Sequence, residues 1–128
     1  MKTLLTLFVL FFSSSVVAEW TLIAHSDNGD SFFVEFDTIK KENEYVYYWE
    51  LVNYPSSLQD NIYSAKNYFV LDCKKYLFKF LKDIYFSEEM GKGKIISQSE
   101  VPDELWRDFN SPGSSGRIEQ LAVCKYAN

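Results

Sequence analysis

The sequence holds few of the residues from which metal and redox sites are built. It has one histidine, His25, and two cysteines, Cys73 and Cys124, which lie far apart and form no CxxC pair. Structural zinc sites need four such ligands, and thiol redox motifs need two cysteines close together. The sequence therefore predicts no metal site and no cofactor.

Motifs for nucleophilic and phosphate chemistry are also missing. No serine lies in a GxSxG sequence, and the Gly-Ser-Ser-Gly run at residues 113–116 is one residue short of that pattern. The Gly-Lys-Gly-Lys run at residues 91–94 is followed by isoleucines, where a phosphate-binding loop has serine or threonine. No catalytic residue is predicted, and we expect a protein that is not an enzyme.

Positive charge is scarce in this chain. The chain has 13 Lys and Arg residues and 18 Asp and Glu residues, which gives a formal net charge of −5. The basic residues do not cluster along the sequence. Proteins that bind nucleic acid or anionic membranes concentrate basic residues in a patch. Neither partner is expected here.

The longest apolar run lies at the N-terminus and is shorter than the roughly 20 residues that a membrane span needs. Lys2 precedes the run, and Val16-Val17-Ala18 provides the small residues of a cleavage site. This three-part pattern predicts a signal peptide at residues 1–18, cleaved after Ala18. Residues 19–128 then form a single domain without a membrane span, exported and soluble in the periplasm or outside the cell.

The two cysteines of an exported chain are expected to form a disulfide. A Cys73–Cys124 bond closes a loop of about 50 residues, which stabilises the fold by roughly 4 kcal/mol in the chain-entropy model. It ties the C-terminal segment to the middle of the chain. Replacing Cys73 by serine is expected to release that segment and to expose Trp106 or its neighbours.

Aromatic residues make up 18% of the chain and mark the predicted strands. Strands are predicted at residues 20–26, 31–39 and 44–54, with Asn28-Gly29 as the turn of a hairpin between the first two. The third strand places Tyr45, Tyr47, Trp49 and Leu51 on one face and Val46, Tyr48, Glu50 and Val52 on the other. Since neither face is polar, this strand is expected to be central in a sheet covered on both sides, or to face a partner.

The remaining segments carry weaker signals. Residues 66–86 fit either a helix or two strands separated by a bend at Lys74-Lys75, and periodicity leaves both open. Polar turns are predicted at 40–43 and 87–93, a surface loop at 54–61 and a short strand at 94–99. Residues 101–109 suit a single helical turn that carries Trp106, and residues 117–126 suit a short helix.

Several short motifs, in this order and spacing, resemble the surface-adhesin protein E-like family of exported bacterial domains. They are Trp20, Trp49, Tyr63-Ser64, Asp72-Cys73, Met90-Gly91 with Gly93, Trp106, Pro112-Gly113-Ser114, and Leu121 through Cys124. The resemblance implies an α+β fold with a single antiparallel sheet of about six strands. It implies a C-terminal helix packed on one face of the sheet and tethered by the Cys73–Cys124 disulfide. It also favours strands over a helix at residues 66–86.

The family takes its name from an adhesin whose ligands are host-matrix proteins and haem, and which dimerises. No motif in this chain matches a ligand-binding residue of that adhesin, so the resemblance assigns none here. The chain has no cysteine near position 19, and no lipid anchor is expected.

The third strand and its end carry a surplus of aromatic residues, which is the main functional signal. Aromatic side chains are enriched at protein interfaces, although these also fit a core beneath the helix. The candidate interface residues are Tyr45, Tyr47, Tyr48, Trp49 and Tyr54.

The expected function is that of an exported, adhesin-like cell-envelope domain that recognises a protein ligand without catalysis. The ligand is a host-matrix or envelope component, and self-association as a homodimer is a further expectation. The alternative is a small periplasmic enzyme or enzyme inhibitor. It requires a pocket that holds His25 together with Asp27, Asp30 or Glu35.

Overall fold

The structure is a computed structural model that describes residues 19–100, 102–109, 111 and 113–128, with the side chain of Asp60 left out. The predicted signal peptide, residues 1–18, lies outside these residues. Among the described residues, no helix has the length and apolar character needed to cross a membrane.

The described chain folds into one antiparallel sheet and one C-terminal helix. The strands are β1 (Thr21–His25), β2 (Ser31–Val34), β3 (Lys40–Glu42), β4 (Tyr45–Leu58), β5 (Ile62–Asp72), β6 (Leu77–Phe86) and β7 (Ile95–Ser99), and the helix is α1 (Ser115–Ala127). The strand order is β1-β2-β4-β5-β6-β7, and β3 lies beside β4 on the same side as β2. The predicted α+β fold, with an antiparallel sheet and a C-terminal helix, is confirmed.

The predicted hairpin at Asn28-Gly29 joins β1 to β2. The Ser26 amide donates to the Asp30 carbonyl at 2.9 Å, and the Gly29 amide donates to the Ser26 carbonyl at 3.0 Å. Gly29 has φ 91°, a conformation that a residue with a Cβ adopts only at a cost. β2 ends at Val34, earlier than predicted, because the chain turns into a 3-10 helix at Phe36–Thr38.

Residues 66–86 form strands, as the family resemblance implied, and the helical alternative is wrong. β5 pairs with β4 along nearly its whole length and with β6 on its other side. Between β5 and β6 the chain reverses at residues 73–76, where the Asp72 carboxylate accepts from the amides of Lys74 (3.0 Å) and Lys75 (3.2 Å). The bend predicted at Lys74-Lys75 is therefore the turn of a hairpin.

Three local predictions are wrong. Residues 40–43 contain β3 rather than only a turn, and β4 continues to Leu58 through much of the predicted 54–61 loop. The described residues of the 101–109 segment form no helical turn. Instead, the amides and carbonyls of Phe78 and Arg107 exchange hydrogen bonds of 2.9 Å, so this segment extends the sheet beside β6. Sheet edges offer hydrogen-bond partners that sequence windows cannot see.

The helix α1 is held at its start by a cap and in its last half by the disulfide. The Ser114 hydroxyl accepts from the Arg117 amide at 3.2 Å, as an N-cap residue does. The predicted Cys73–Cys124 disulfide is present, with the two Cα atoms 5.7 Å apart. It fastens α1 to the turn that follows β5.

The core lies between α1 and one face of the sheet, which we call the covered face. Residues of this face include Val46 and Tyr48 on β4 and Leu71 on β5, all at most 1% exposed, and Val123 of α1 packs onto the same cluster. Burying each large apolar side chain stabilises the fold by about 1.5–3 kcal/mol relative to leaving it exposed. The opposite face of the sheet, which α1 leaves uncovered, is called the open face.

Candidate functional site

The alternation along β4 decides which aromatic rings reach the open face. Directly paired residues of an antiparallel sheet point to the same face. Trp49 pairs with Tyr68 of β5, and Tyr47 pairs with Val70. The residues between them, such as Tyr48, point to the covered face. Tyr45, Tyr47, Trp49 and Tyr68 therefore share the open face, and all four are half-buried.

The rings of the open face form a connected row. Trp49 stacks on Tyr68 with ring centroids 4.7 Å apart, and Tyr47 lies 6.2 Å from the same Tyr68 ring. At one end of the row, Tyr45 contacts Trp106 at 5.2 Å. Aromatic pairs at these distances stabilise each other by about 0.5–1.5 kcal/mol beyond area burial, which favours this arrangement of the rings before any ligand binds.

Trp106 folds onto the open face rather than under the helix. The Lys79 ammonium lies 4.8 Å from the centre of the Trp106 ring, a cation–π contact. Lys79 pairs with Val70, which places it on the open face as well. Release of the helix would therefore leave Trp106 in place, whereas its neighbour Phe109, which lies against Gly116 of α1, would be uncovered.

At the other end of the row, the open face has a cavity of about 190 Å³. Its lining residues are Trp20, Glu35, Trp49, Lys66 and Ile84. The Lys66 ammonium lies 5.6 Å from the centre of the Trp20 ring and 5.3 Å from that of Phe86. All three tryptophans of the chain thus lie on the open face.

A glycine allows the Lys66 side chain to run past the loop that follows β6. A Cβ atom at Gly91 would lie 2.6 Å from Lys66 Cε, and Gly91 has φ +66°. The adjoining Met90 amide donates to the Asn53 side chain at 2.8 Å, and the Gly91 amide donates to the Ser64 hydroxyl at 2.9 Å. The Met-Gly motif therefore holds one end of the open face in place.

The candidate interface residues of the sequence divide between the two faces. Tyr45, Tyr47 and Trp49 lie on the open face, whereas Tyr48 is completely buried on the covered face and cannot contact a partner in this fold. Tyr54 lies near Glu50, on the covered side of the sheet. Burial there, with charge repulsion from several neighbouring groups, raises the pKa of Tyr54 to about 12.

The sequence did not single out Tyr68, Trp106 or Trp20 as interface residues, and the structure brings all three to the open face. Each lies in a different segment of the chain. Tyr68 lay in the stretch whose periodicity was ambiguous, and Trp106 was assigned to a helical turn. Only the strand register, which pairs Tyr68 with Trp49, shows that these rings are neighbours.

Beneath α1 lies a sealed cluster of acidic and phenolic groups. The Tyr48 hydroxyl donates to Glu119 Oε2 at 2.8 Å, and the side-chain amide of Asn67 donates to Glu50 Oε1 at 2.8 Å. Glu119 is 1% exposed and Glu50 is 6% exposed. Burial is the main cause that raises the pKa of Glu119 well above its usual range, and repulsion from Glu50 is the second. Burial also raises the pKa of Glu50. These groups are therefore shielded from solvent beneath α1.

The pocket that the enzyme alternative requires is not formed. His25 is exposed, and its Nδ1 atom lies 3.0 Å from the Ser31 hydroxyl. None of the carboxylates of Asp27, Asp30 and Glu35 is within hydrogen-bond or ion-pair distance of the ring in the part of the chain that the structure describes. The same part contains no group of three or more His, Cys, Asp and Glu side chains that could hold a metal ion.

Comparison with protein families finds a match that covers most of the chain. The sequence profile of surface-adhesin protein E matches residues 20–125. The matched segment contains both cysteines and every residue of the open face described above. Among curated protein sequences, no match is found.

Solved structures of Haemophilus influenzae protein E have a similar fold. Crystal form II superposes with a TM-score of 0.65 at 17% identity, covering 88% of this chain and 93% of that chain. A second structure gives 0.62 at 16% identity and 86% of each chain. The structure from the non-typeable organism gives 0.58 at 16% identity, over 88% and 79%. At such identities the likeness establishes a shared fold and says nothing about ligands.

Proposed function

The chain belongs to the surface-adhesin protein E family, and we propose that it is an exported domain that recognises a protein ligand through its open face, without catalysing a reaction. The ligand is a host-matrix or envelope protein. The family supports an adhesin-like surface protein, and the geometry of the sheet supports the choice of this face.

The observation that carries the proposal is the row of half-buried rings that α1 leaves uncovered. Tyr and Trp rings offer large contact areas at a small loss of side-chain freedom, and they dominate the energy of many protein interfaces. The stacking of Trp49 on Tyr68 fixes these rings in advance, which lowers the entropy cost of binding. The opposite face already has its partner in α1, so the open face is the one available for recognition.

Export is supported by the disulfide as well as by the family. A disulfide persists in oxidising compartments and is rare in the reducing cytosol. Cleavage after Ala18 remains a prediction from the sequence, and the first residue of the exported protein tests it. We place the protein in the periplasm or outside the cell.

Replacing Tyr47 and Trp49 together by serine is expected to reduce ligand capture at least tenfold, because truncating a central aromatic residue typically costs more than about 1–2 kcal/mol of binding. The measurement is the amount of host-matrix and envelope protein retained by the immobilised, oxidised protein. Both side chains lie on the open face, so the fold should persist, and circular dichroism checks this.

The matched control is Tyr126→Ala, which removes a ring that is 56% exposed on α1, on the other side of the sheet. It should leave capture unchanged. Equal capture by the Tyr47/Trp49 variant and the unaltered protein would show that the open face is not the recognition surface.

Self-association is the second proposed use of exposed surface, and the edge strand β7 favours it. Every residue of β7 is exposed, and Ile95 is 55% and Ile96 39% exposed. β7 pairs with β6 on one side, which leaves the other edge able to pair with a second copy of the chain.

Light scattering of the oxidised protein at micromolar concentration is expected to show a dimer. Ile96→Lys should shift the dimer to a monomer, because a lysine on an edge strand discourages pairing between edges. Leu105→Lys, at a side chain that is 77% exposed elsewhere, is the control. A monomer at every concentration measured would contradict the proposed self-association through β7.

A further inference from the structure

We propose that the open face binds an extended, acidic peptide segment whose two carboxylates pair with Lys66 and Lys79. This inference rests on the proposed function and specifies the chemistry of the ligand. It commits to a protein segment with acidic side chains four residues apart and an apolar side chain midway between them.

The register of the sheet places both lysines on the open face. Lys66 pairs with Leu51, which shares its face with Trp49 along β4. Lys79 pairs with Val70, which in turn pairs with Tyr47. Both lysines are half-buried, and each ammonium group lies against an aromatic ring of this face.

Neither lysine has a carboxylate partner in the part of the chain that the structure describes. Their ammonium groups lie over aromatic rings instead, Lys66 over Trp20 and Phe86 and Lys79 over Trp106. Rings hold a cation in place without neutralising its charge. These two lysines are therefore positioned cations that lack an anion.

The other charged groups near this face do not take that role. Lys82, on the same face, pairs with Glu100 at 2.9 Å, so its charge is balanced. Glu35 lines the cavity beside Lys66 but forms no ion pair among the described residues. Glu42 of β3 pairs with Tyr45 of β4, so it lies on the same face. It also forms no ion pair among the described residues. Lys40, which pairs with Tyr47, is a third cation on this face, but it is exposed, and among the described residues it has neither an ion pair nor an aromatic ring beneath its ammonium.

The spacing of the two lysines sets the spacing of the ligand's carboxylates. Lys79 lies beside Val70, and Val70 is four residues from Lys66 along β5. At about 3.4 Å per residue, the two lysines are roughly 14 Å apart. An extended peptide presents residues i and i+4 on one face at the same separation, and residue i+2 lies between them.

The residue between the two lysines on the open face of β5 is Tyr68, on which Trp49 stacks. The middle side chain of the ligand therefore meets an aromatic surface, which favours an aromatic or aliphatic residue. The ligand pattern is acidic, any, apolar, any, acidic, in an extended conformation. No single segment of the sequence contains this site, since the lysines and the rings come from different strands.

The test is a titration of the oxidised protein with two peptides, followed by tryptophan fluorescence, because all three tryptophans lie on this face. The first peptide has glutamates at its first and fifth positions, phenylalanine at the third and threonines between. The second has glutamines in place of the glutamates. The glutamate peptide is expected to bind at least tenfold more tightly, with the difference shrinking as salt is added.

Lys66→Gln and Lys79→Gln should each lower the affinity for the glutamate peptide about tenfold, since each removes one charge-assisted contact. Lys125→Gln is the control, because it removes an exposed lysine from α1 on the other side of the sheet. Equal affinity for the two peptides, or no effect of either open-face lysine, would overturn the inference. So would binding of heparin in place of the glutamate peptide, because the anion would then be a polysaccharide.

The failure of the inference can be told apart from that of the proposed function. If the Tyr47/Trp49 variant loses protein capture while a Lys66→Gln/Lys79→Gln double variant keeps it, recognition by the open face stands and the acidic ligand is overturned. If the Tyr47/Trp49 variant keeps capture, the proposed function itself falls.

Discussion

Replacing Cys73 and Cys124 together by alanine is expected to lower the free energy of unfolding by about 4 kcal/mol, the largest effect we expect from any change in this chain. The bond links residues 51 positions apart. In the chain-entropy model a loop of that length restricts the unfolded state by roughly this amount. The total stability of a domain is only about 5–15 kcal/mol, so the loss is a large share of it.

The structural consequence is the release of α1 from the covered face. A helix of 13 residues is marginal by itself in water, so α1 should lose much of its helicity once its tether is gone. Urea unfolding measures the loss of stability, and far-UV circular dichroism follows the helix. Tryptophan fluorescence should change little on release of α1, because Trp20, Trp49 and Trp106 lie on the open face.

Reduction of the unaltered protein should reproduce the effect, and the double variant should not respond to a reducing agent. That variant is therefore the control for nonspecific effects of the reductant. A Tm that is the same with and without the reductant in the unaltered protein would contradict the prediction.

The second large effect is a loss of stability with rising pH, caused by the buried Glu119. Burial and the neighbouring Glu50 raise the pKa of Glu119 in the folded state above its value of about 4.3 in the unfolded chain. A raised folded-state pKa means that the folded protein holds a proton that the unfolded chain has released. The stabilising contribution is complete below the unfolded pKa and is lost as pH rises toward and through the folded pKa.

Within that window the free energy of unfolding should fall by about 1.4 kcal/mol per pH unit for one retained proton. Glu50 acts in the same direction, because burial raises its pKa as well. Tyr48, which donates its hydroxyl to Glu119, has a pKa raised well above the usual tyrosine value and so remains a donor throughout. Urea unfolding at a series of pH values from about 4.5 upward measures the slope.

Glu119→Gln is expected to flatten this dependence, since a glutamine amide keeps an acceptor for Tyr48 and has no proton to lose. The variant should therefore exceed the unaltered protein in stability at alkaline pH by about 1 kcal/mol or more. Glu104→Gln, at an exposed carboxyl, is the matched control and should keep the original slope. Identical slopes in the Glu119 variant and the unaltered protein would show that the pair under α1 does not set the pH dependence.

These two predictions concern the covered face, whereas the proposed recognition lies on the open face. The disulfide and the Glu119–Tyr48 contact secure the fold from one side of the sheet. Lys66, Lys79 and the aromatic row lie on the other side. Substitutions on the open face should therefore alter binding with little loss of stability, which makes the binding experiments interpretable.

The disulfide and the alternation of β4 could be predicted from the sequence alone. Two cysteines in a chain that belongs to a family of exported proteins can form only one disulfide, and a strand's period of two assigns Tyr47 and Trp49 to one face and Tyr48 to the other. The hairpin at Asn28-Gly29 is also local, because the left-handed conformation of Gly29 is a property of that residue type. Each of these follows from neighbouring residues or from composition.

Which of the two β4 faces is free, and what surrounds it, depends on contacts between segments that are distant in the sequence. The helix α1 could have packed against either apolar face. It packs on the covered face, which buries Tyr48 and leaves Tyr47 and Trp49 half-exposed. The register of β4, β5 and β6 then brings Lys66, Tyr68 and Lys79 beside those rings. Strand register depends on hydrogen bonds between residues distant in the sequence, which no local pattern records, and for that reason the aromatic surface with its two lysines exists only in the folded chain.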